Sequence, residues 1–264
     1  MLKLKDFFGA LDKKAPIELS YKLIEKGDYD NSGIIVNSQE EVKKVLFSLD
    51  LSEKAVKRAK GLKCDTIVTH HPAIYNPIKS ISQEDLSTKA LLLAVKSGMN
   101  VISMHLNLDV AENGIDASLC QALGGEKYKI LDFVTEKNGY GREFDLSGIT
   151  LDEFIKRIKI NLKTNKLVVY GKRKTRLNKG ASFCGGGSGY AEKFVKNGVC
   201  KADVIVTSDM SHHVILALVE SGKCVVIIPH YASENYGFFR LFKSVSKELN
   251  SKIESYYFED KRFL

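Results

Sequence analysis

No apolar run in this chain approaches the roughly 20 residues that a membrane-spanning helix needs. The longest, such as Ala90–Val95 and Val225–Pro229, are core-sized. There is no Cys-x-x-Cys pair, which excludes a structural zinc knuckle. The five cysteines (Cys64, Cys120, Cys184, Cys200, Cys224) are odd in number and irregularly spaced, which argues against a disulfide framework. No Gly-Lys-Ser/Thr follows the glycine-rich run Cys184–Gly189, so a Walker phosphate loop is excluded too. The opening residues MLKLKDFFGALDKKAPIE mix lysine and aspartate among their apolar positions, unlike a secretion signal. The expected setting is the cytoplasm, with no membrane partner. What remains is a chain of 264 residues, 44% hydrophobic and 27% charged, suited to one large globular domain or two small ones.

Acid is missing from one stretch. Between Lys156 and Lys179 stand ten Lys or Arg and no Asp or Glu; the chain carries a formal +8, so the remainder is at −2. The basicity is one patch (KRIKINLKTNKLVVYGKRKTRLNK) rather than a property of the whole surface. Such a patch could meet nucleic acid or another polyanion. It lacks the Gly-aromatic pattern of an RNA-binding sheet, and a solvated helix face with a hairpin is the plainer expectation.

Short apolar strands alternate with helical periodicities. Strands are predicted at Ser32–Val36, Thr66–Val68, Val101–Met104, Leu167–Tyr170 and Ala181–Cys184. The spacing of Val42, Val45, Leu46 and Leu49 predicts a helix over Ser38–Leu49. Further helices are predicted at Ser52–Lys60, Leu86–Ser97, Ile115–Leu123, Leu151–Ile160, Tyr190–Lys196 and Ser211–Glu220. Gly98 and Gly124-Gly125 stand where helix ends want glycine. The pattern implies an α/β fold with parallel pairing in at least part of its sheet.

Part of this pattern occurs twice. Asp65-Thr-Ile-Val-Thr69 recurs as Asp203-Val-Ile-Val-Thr207, and a polar cluster follows each copy: His70-His71 in one, Ser208-Asp209 in the other. Each copy then leads into a helix ending Val-Lys-Ser-Gly98 or Val-Glu-Ser-Gly222, and into an apolar strand finishing at His105 or His230. Four landmarks in one order imply two similar α/β lobes related by an internal duplication. The expected division is approximately 1–127 and 128–264, with exchange of terminal segments between the lobes allowed and a metal site in the crevice between them.

Every histidine (His70, His71, His105, His212, His213, His230) lies at or just beyond the end of a predicted core strand, where open α/β sheets bind ligands. Acids accompany them: Asp109 four residues after His105, and Glu234 four residues after His230. A strand-end turn at His70-His71, with Pro72 biasing His71 away from helical conformation, would let both imidazoles reach neighbouring ions. On an extended segment His105, Asn107 and Asp109 would share a face. A turn after His230 would bring Glu234 back beside it. Mixed His and carboxylate ligation without cysteine suits Zn, Mn or Fe in a hydrolytic site.

Five such ligands exceed what one catalytic ion takes from protein. They suit two divalent ions per subunit, about 3.5–4 Å apart with a bridging carboxylate. Asp109 and Glu234 do not cancel the charge of two such ions, and the excess favours a bridging hydroxide or a small anionic substrate, such as a phosphate ester or nucleotide. His105 and Asp209 are candidates for tuning protonation. Asp209, the counterpart of His71 in the repeat, either serves the site from behind a ligand or caps the following helix. His212 and His213 fall in that helix's first turn, at least one as a surface or structural residue, with a substrate role the alternative for either. The run Cys184–Gly189 reads as a tight turn beneath the metal site or as an anion-holding helix start. Cys184 itself reads as a buried apolar residue, not a nucleophile.

These residues carry a resemblance. Asp30-Asn-Ser-Gly33, Thr69-His-His-Pro72, His105-Leu-Asn-Leu-Asp109, Cys184-Gly-Gly-Gly-Ser-Gly189, Thr207-Ser-Asp209 and His230-Tyr-Ala-Ser-Glu234 resemble, in order, the motifs of the dinuclear metal-centre protein family. Its bacterial members are commonly labelled GTP cyclohydrolase I type 2 homologues. The resemblance implies two α/β lobes around a paired-metal site, ligands at His70, His71, Asp109, His230 and Glu234, and a ring-shaped homohexamer. Two departures flank the site: Pro229 and Ser208 stand where family members usually have Gly. Longer members carry an extra domain between the lobes, for which the stretch from about 128 to 180 leaves little room. The implied activity is metal-dependent hydrolysis of a nucleotide or other phosphorylated small molecule, ring-opening of GTP by the family label. The alternative is a non-enzymatic metal-handling or regulatory protein, binding nucleic acid through Lys156–Lys179.

Overall fold

A computed structural model describes residues 2–264. In chain order its first half comprises β1 (Leu2–Lys3), α1 (Leu4–Asp12), α2 (Ile17–Glu25), β2 (Gly33–Val36), β3 (Glu41–Val42), β4 (Lys44–Ser48), α3 (Glu53–Gly61), β5 (Thr66–Thr69), α4 (Lys89–Lys96), β6 (Asn100–Ser103), α5 (Leu106–Val110) and α6 (Ile115–Ala122). Then follow β7 (Tyr128–Phe133), β8 (Gly139–Thr150), α7 (Leu151–Asn161), β9 (Val168–Tyr170), β10 (Arg176–Ser182), α8 (Ser188–Lys196), β11 (Val204–Thr207), α9 (His212–Glu220), β12 (Cys224–Ile227), α10 (His230–Leu249) and β13 (Glu254–Phe258). Among the described residues no helix is long and apolar enough to cross a membrane. All five cysteines are free and buried.

The chain divides into two compact units. The first takes the residues up to Leu108 together with Phe238–Asp260, and the second takes Asp109–Gly237 together with Lys261–Leu264. This division falls earlier than residue 127, and the C-terminal segment returns to the first unit. There β13 pairs in parallel with β4, and Phe238 and Phe242 of α10 lie against Phe47 with ring centroids 6.2 and 5.4 Å apart.

In the first unit the sheet order is β13-β4-β5-β6-β2. Four strands run parallel, and β2 closes one edge antiparallel to β6. One face of the sheet carries α3 and α4, where Val56, Ala59 and Ala94 meet Leu46, Ile67 and Val101. Strands covered on both faces read as continuous apolar runs. That explains why the helix predicted over Ser38–Leu49 is instead β3 and β4. Val45, Leu46 and Phe47 are all fully buried, and an unbroken apolar run satisfies a helical template as well as a strand one.

In the second unit the order is β7-β8-β10-β11-β12-β9. The strands β10, β11 and β12 are parallel, with antiparallel neighbours on both sides. Ala191, Phe194, Val214 and Leu218 of α8 and α9 pack on Ala181, Ile205 and Val225. The two central strands begin alike. The Asp65 carboxylate accepts from Lys43 N–H and Lys44 N–H at 2.8 and 2.9 Å; the Asp203 carboxylate accepts from Asn178 N–H and Lys179 N–H at 2.7 and 3.0 Å. The basic segment covers the end of α7, β9 and the start of β10. Nine of its ten cationic side chains are exposed, and Arg157 is half-buried.

One ion pair lies deep in the second unit. Arg142 and Asp116 have fully buried side chains and pair directly, and Arg142 also stacks over Tyr128, 5.2 Å from the ring centroid. Burial pushes the Asp116 carboxyl up, against the pull of Arg142. Removing one partner strands the other charge in the interior. Arg142→Met should therefore destabilise the protein by about 3–5 kcal/mol in urea denaturation, and adding Asp116→Leu should recover part of that loss. A double variant as unstable as the sum of both singles would contradict the pairing.

Candidate metal centre

Where β5 ends, the chain turns at once into His70-His71-Pro72. The turn is held by His70 N–H and His71 N–H, which both donate to Leu49 O at 3.1 and 3.0 Å. The Thr69 hydroxyl sits 2.8 Å from His71 O and 2.9 Å from Ser103 Oγ, tying the ends of β5 and β6. The two rings thereby come within 4.9 Å of each other, centroid to centroid. His105, just past β6, brings its ring 5.2 Å from that of His70 and 6.0 Å from that of His71.

Each ring is anchored through Nδ1. His70 Nδ1 lies 2.7 Å from Met104 O, which only accepts, so Nδ1 donates and Nε2 faces away from that carbonyl. His71 Nδ1 meets Asp50 Oδ1 at 2.6 Å, and His105 Nδ1 meets Asp30 Oδ1 at 2.7 Å. In the second unit His230 Nδ1 meets Asp209 Oδ2 at 2.5 Å. Such contacts fix ring orientation and turn Nε2 to the side away from the anchor. Asp30 also accepts from the Ser20 and Ser32 hydroxyls. Burial works against its charge, but the hydrogen bond and attraction of His105, with the two serines, outweigh it and lower its pKa below the ordinary 3.8.

The two carboxylates reach the histidines by helices, not by the extended segment and strand-end turn expected. His105 immediately precedes α5, so Asp109, not Asn107, follows it one turn along. Asn107 points elsewhere and donates to Ala15 O at 2.7 Å. Likewise α10 starts at His230, and Glu234, one turn on, has Oε1 3.0 Å from His230 Nε2. One further turn along α10 stands Phe238, whose ring lies 6.2 Å from that of His70. Continuity of these two helices thus brings Asp109 and Glu234 to the histidines. Ligand atoms of His70, His71 and Glu234 lie within 4.8 Å of one another, as do those of His70, His105 and Asp109. These groups could hold a metal ion. His230 joins neither group and is connected to the first through Glu234.

The turn Cys184–Gly187 packs against the carboxylates. Gly185 has φ +57, and a Cβ there would stand 2.5 Å from Glu234 Oε1 and 3.4 Å from His230 Nε2, so only glycine fits. Cys184 Sγ lies 3.5 Å from Asp109 Oδ1, and its N–H donates to Asp116 at 3.0 Å. Burial, with Asp109, Asp116 and Glu234 nearby, pushes the thiol well above its usual range, which suits an inert residue. Asp209 is not the cap of α9: that position is Ser211. His212 and His213 are exposed. Asp50 had no sequence signal as a partner of His71. Asp30 opens the Asp30-Asn-Ser-Gly33 motif, and its role emerges only from the contact with His105.

A profile of the Duf34/NIF3 (NGG1p interacting factor 3) family matches residues 2–261. The chain belongs to this family. A Duf34/NIF3 relative from Clostridium perfringens named GTP cyclohydrolase 1 type 2 homolog is 29% identical over 96% of this chain and 95% of its own. Among solved structures, reduced HcgD from Methanocaldococcus jannaschii is 28% identical, covers 98% of each chain and superposes with a TM-score of 0.78. A Bacillus cereus protein related to NIF3 reaches a TM-score of 0.86 over 98% of this chain and 97% of its own, at 18% identity, a likeness of fold alone.

Because the folded pKa of Asp30 is lowered, its stabilisation is present above 3.8 and is lost as pH falls through the folded value. Asp30→Asn should therefore be less stable than the wild type near neutral pH, with the gap closing below that value. Urea midpoints across that range check this, and a gap independent of pH would locate the effect in packing rather than charge.

Proposed function

We propose that this Duf34/NIF3 protein holds two divalent metal ions through His70, His71, Asp109, His230 and Glu234, and acts as a metal-dependent hydrolase on a nucleotide or other phosphorylated small molecule. The observation that carries the reading is the anchoring of His70, His71, His105 and His230 through Nδ1, beside the buried carboxylates of Asp109 and Glu234. Imidazole and carboxylate donors, with the neighbouring thiol held protonated, fit Zn, Fe or Mn. When bound, such ions supply Lewis acidity and an acidified water. The chain's own residues do the rest. Asp30 orients His105 so that a proton can be taken up or returned at Nε2, Asp209 orients His230, and Gly185 leaves room for Glu234. The name of the Clostridium perfringens relative supports a nucleotide as the substrate class.

The same reading includes the internal duplication, supported by the matched roles of Asp65 and Asp203 at the starts of β5 and β11. It also includes a cytoplasmic homohexamer. In light scattering, a mass near the single-chain 29.4 kDa would overturn the hexamer. One observation favours a second reading, a regulatory protein binding nucleic acid: the exposure of nine of the ten cations in Lys156–Lys179. Binding that weakens steeply with salt and is abolished by charge reversal at Lys172, Arg173 and Lys174 would support it over the hydrolase.

Elemental analysis of the metal-replete protein should give about two divalent ions per chain, and one ion or none would sink the dinuclear reading. Glu234→Gln should lower occupancy more than Asp209→Asn, since the first removes a ligand charge and the second only an orienting contact. Equal losses would reverse that assignment. A screen of phosphoesters and nucleotides with the identified metal restored then tests the hydrolase itself.

A further inference from the structure

The ring contacts around His70 do not stop at His105. Tyr75 stands edge-on to His105, with centroids 6.0 Å apart and planes at 89°. Tyr29 stands edge-on to Tyr75 at 5.1 Å and 78°. The aromatic row thus runs from fully buried His70, through His105 with a 15% exposed side chain, to two tyrosines each 46% exposed. It begins at the ligand atoms and ends in solvent.

The row is built on fixed backbone. Asp30 binds His105, and the next residue, Asn31, donates from Nδ2 to Ile74 O at 2.7 Å. Ala73 N–H is held by Ser103 Oγ at 3.2 Å. Tyr29 therefore adjoins Asp30, which holds His105, and Tyr75 adjoins Ile74, which Asn31 holds. The chain from His70 to Thr88 contains no helix or strand; a connection of that length is usually either functional or a disordered linker, and the bonds from Asn31 and Ser103 hold the start of this one in place. Tyrosine offers a large, stiff face at little entropic cost, and such faces stack on heterocycles in a sequence-tolerant way.

We propose that Tyr29 and Tyr75 form a ring-stacking subsite that selects ligands with a planar heteroaromatic ring for the metal group beside His105. The inference rests on the metal reading given above and adds to it the residues that would hold the ring. A ligand's ring meets the exposed tyrosines, while its anionic end lies toward the histidines and carboxylates.

The probes are AMP, GMP and ribose 5-phosphate, titrated calorimetrically into the metal-loaded full chain. Both nucleotides should bind roughly 5- to 150-fold tighter than ribose 5-phosphate, the range of one base–aromatic stack. Tyr75→Leu and Tyr29→Leu, which keep apolar volume and remove the ring, should each erase at least part of that preference without changing ribose 5-phosphate affinity. Tyr75→Phe should retain it. The chain has no tryptophan, so quenching of tyrosine emission by AMP gives a second readout in the unsubstituted protein. Nucleotides that bind no tighter than ribose 5-phosphate, or do not bind, overturn the subsite, as does nucleotide affinity unchanged in both leucine variants. Metal content is measured on the same samples: a chain that holds its metals but shows no ring preference fails this inference alone. A chain without metals fails the metal reading, and emission quenching then still decides the subsite.

Discussion

A histidine can serve as a ligand only when its lone pair sits on the nitrogen that faces the ligand, and here that choice is made by what holds Nδ1. The carbonyl of Met104, and the carboxylates of Asp50, Asp30 and Asp209, each take one ring. Those acceptors lie within a few residues of strand ends. The sheets therefore do more than carry the histidines, because they also present the groups that set each ring's tautomer and angle. Remove the strand pairing and the rings lose both position and chemistry together.

Helix geometry supplies the carboxylates by a different route. The i,i+4 relation on α5 and α10 puts Asp109 and Glu234 one turn from His105 and His230. The same spacing extends from Glu234 to Phe238, which is seated in the aromatic core with Phe47 and Tyr257. An apolar anchor and a buried carboxylate share one face of one helix. The cost is crowding, and Gly185 relieves it: its positive φ and missing Cβ let the neighbouring turn close over Glu234.

Buried charge is handled with the same economy of partners. Arg142, Asp116 and the Cys184 N–H form a chain that ends at the turn beneath the carboxylates, and Cys184 continues it to Asp109. Low dielectric strengthens each of these contacts and makes each unpaired group expensive. Burial and the nearby acids push the Cys184 thiol well above its usual range.

The sequence by itself determined the α/β class, the strands that begin at Asp65 and Asp203, the helix-ending Gly98 and Gly222, and the residues grouped around the strand ends. Those signals are local: apolar runs, glycine positions, and histidines spaced from acids. Periodicity predicts a helix over Ser38–Leu49 because a strand flanked by β13 and β5 and covered by α3 and α4 on one face and α10 on the other has no period of its own. The sequence also reads His105–Asp109 as extended, because five residues are too few for a period to separate helix from strand. Only the tertiary structure decided that Asp50 holds His71, that Asp30 holds His105, and that the chain after Phe238 returns to the first unit. Those contacts join residues far apart in sequence, where neither periodicity nor spacing carries information and packing alone chooses the partner.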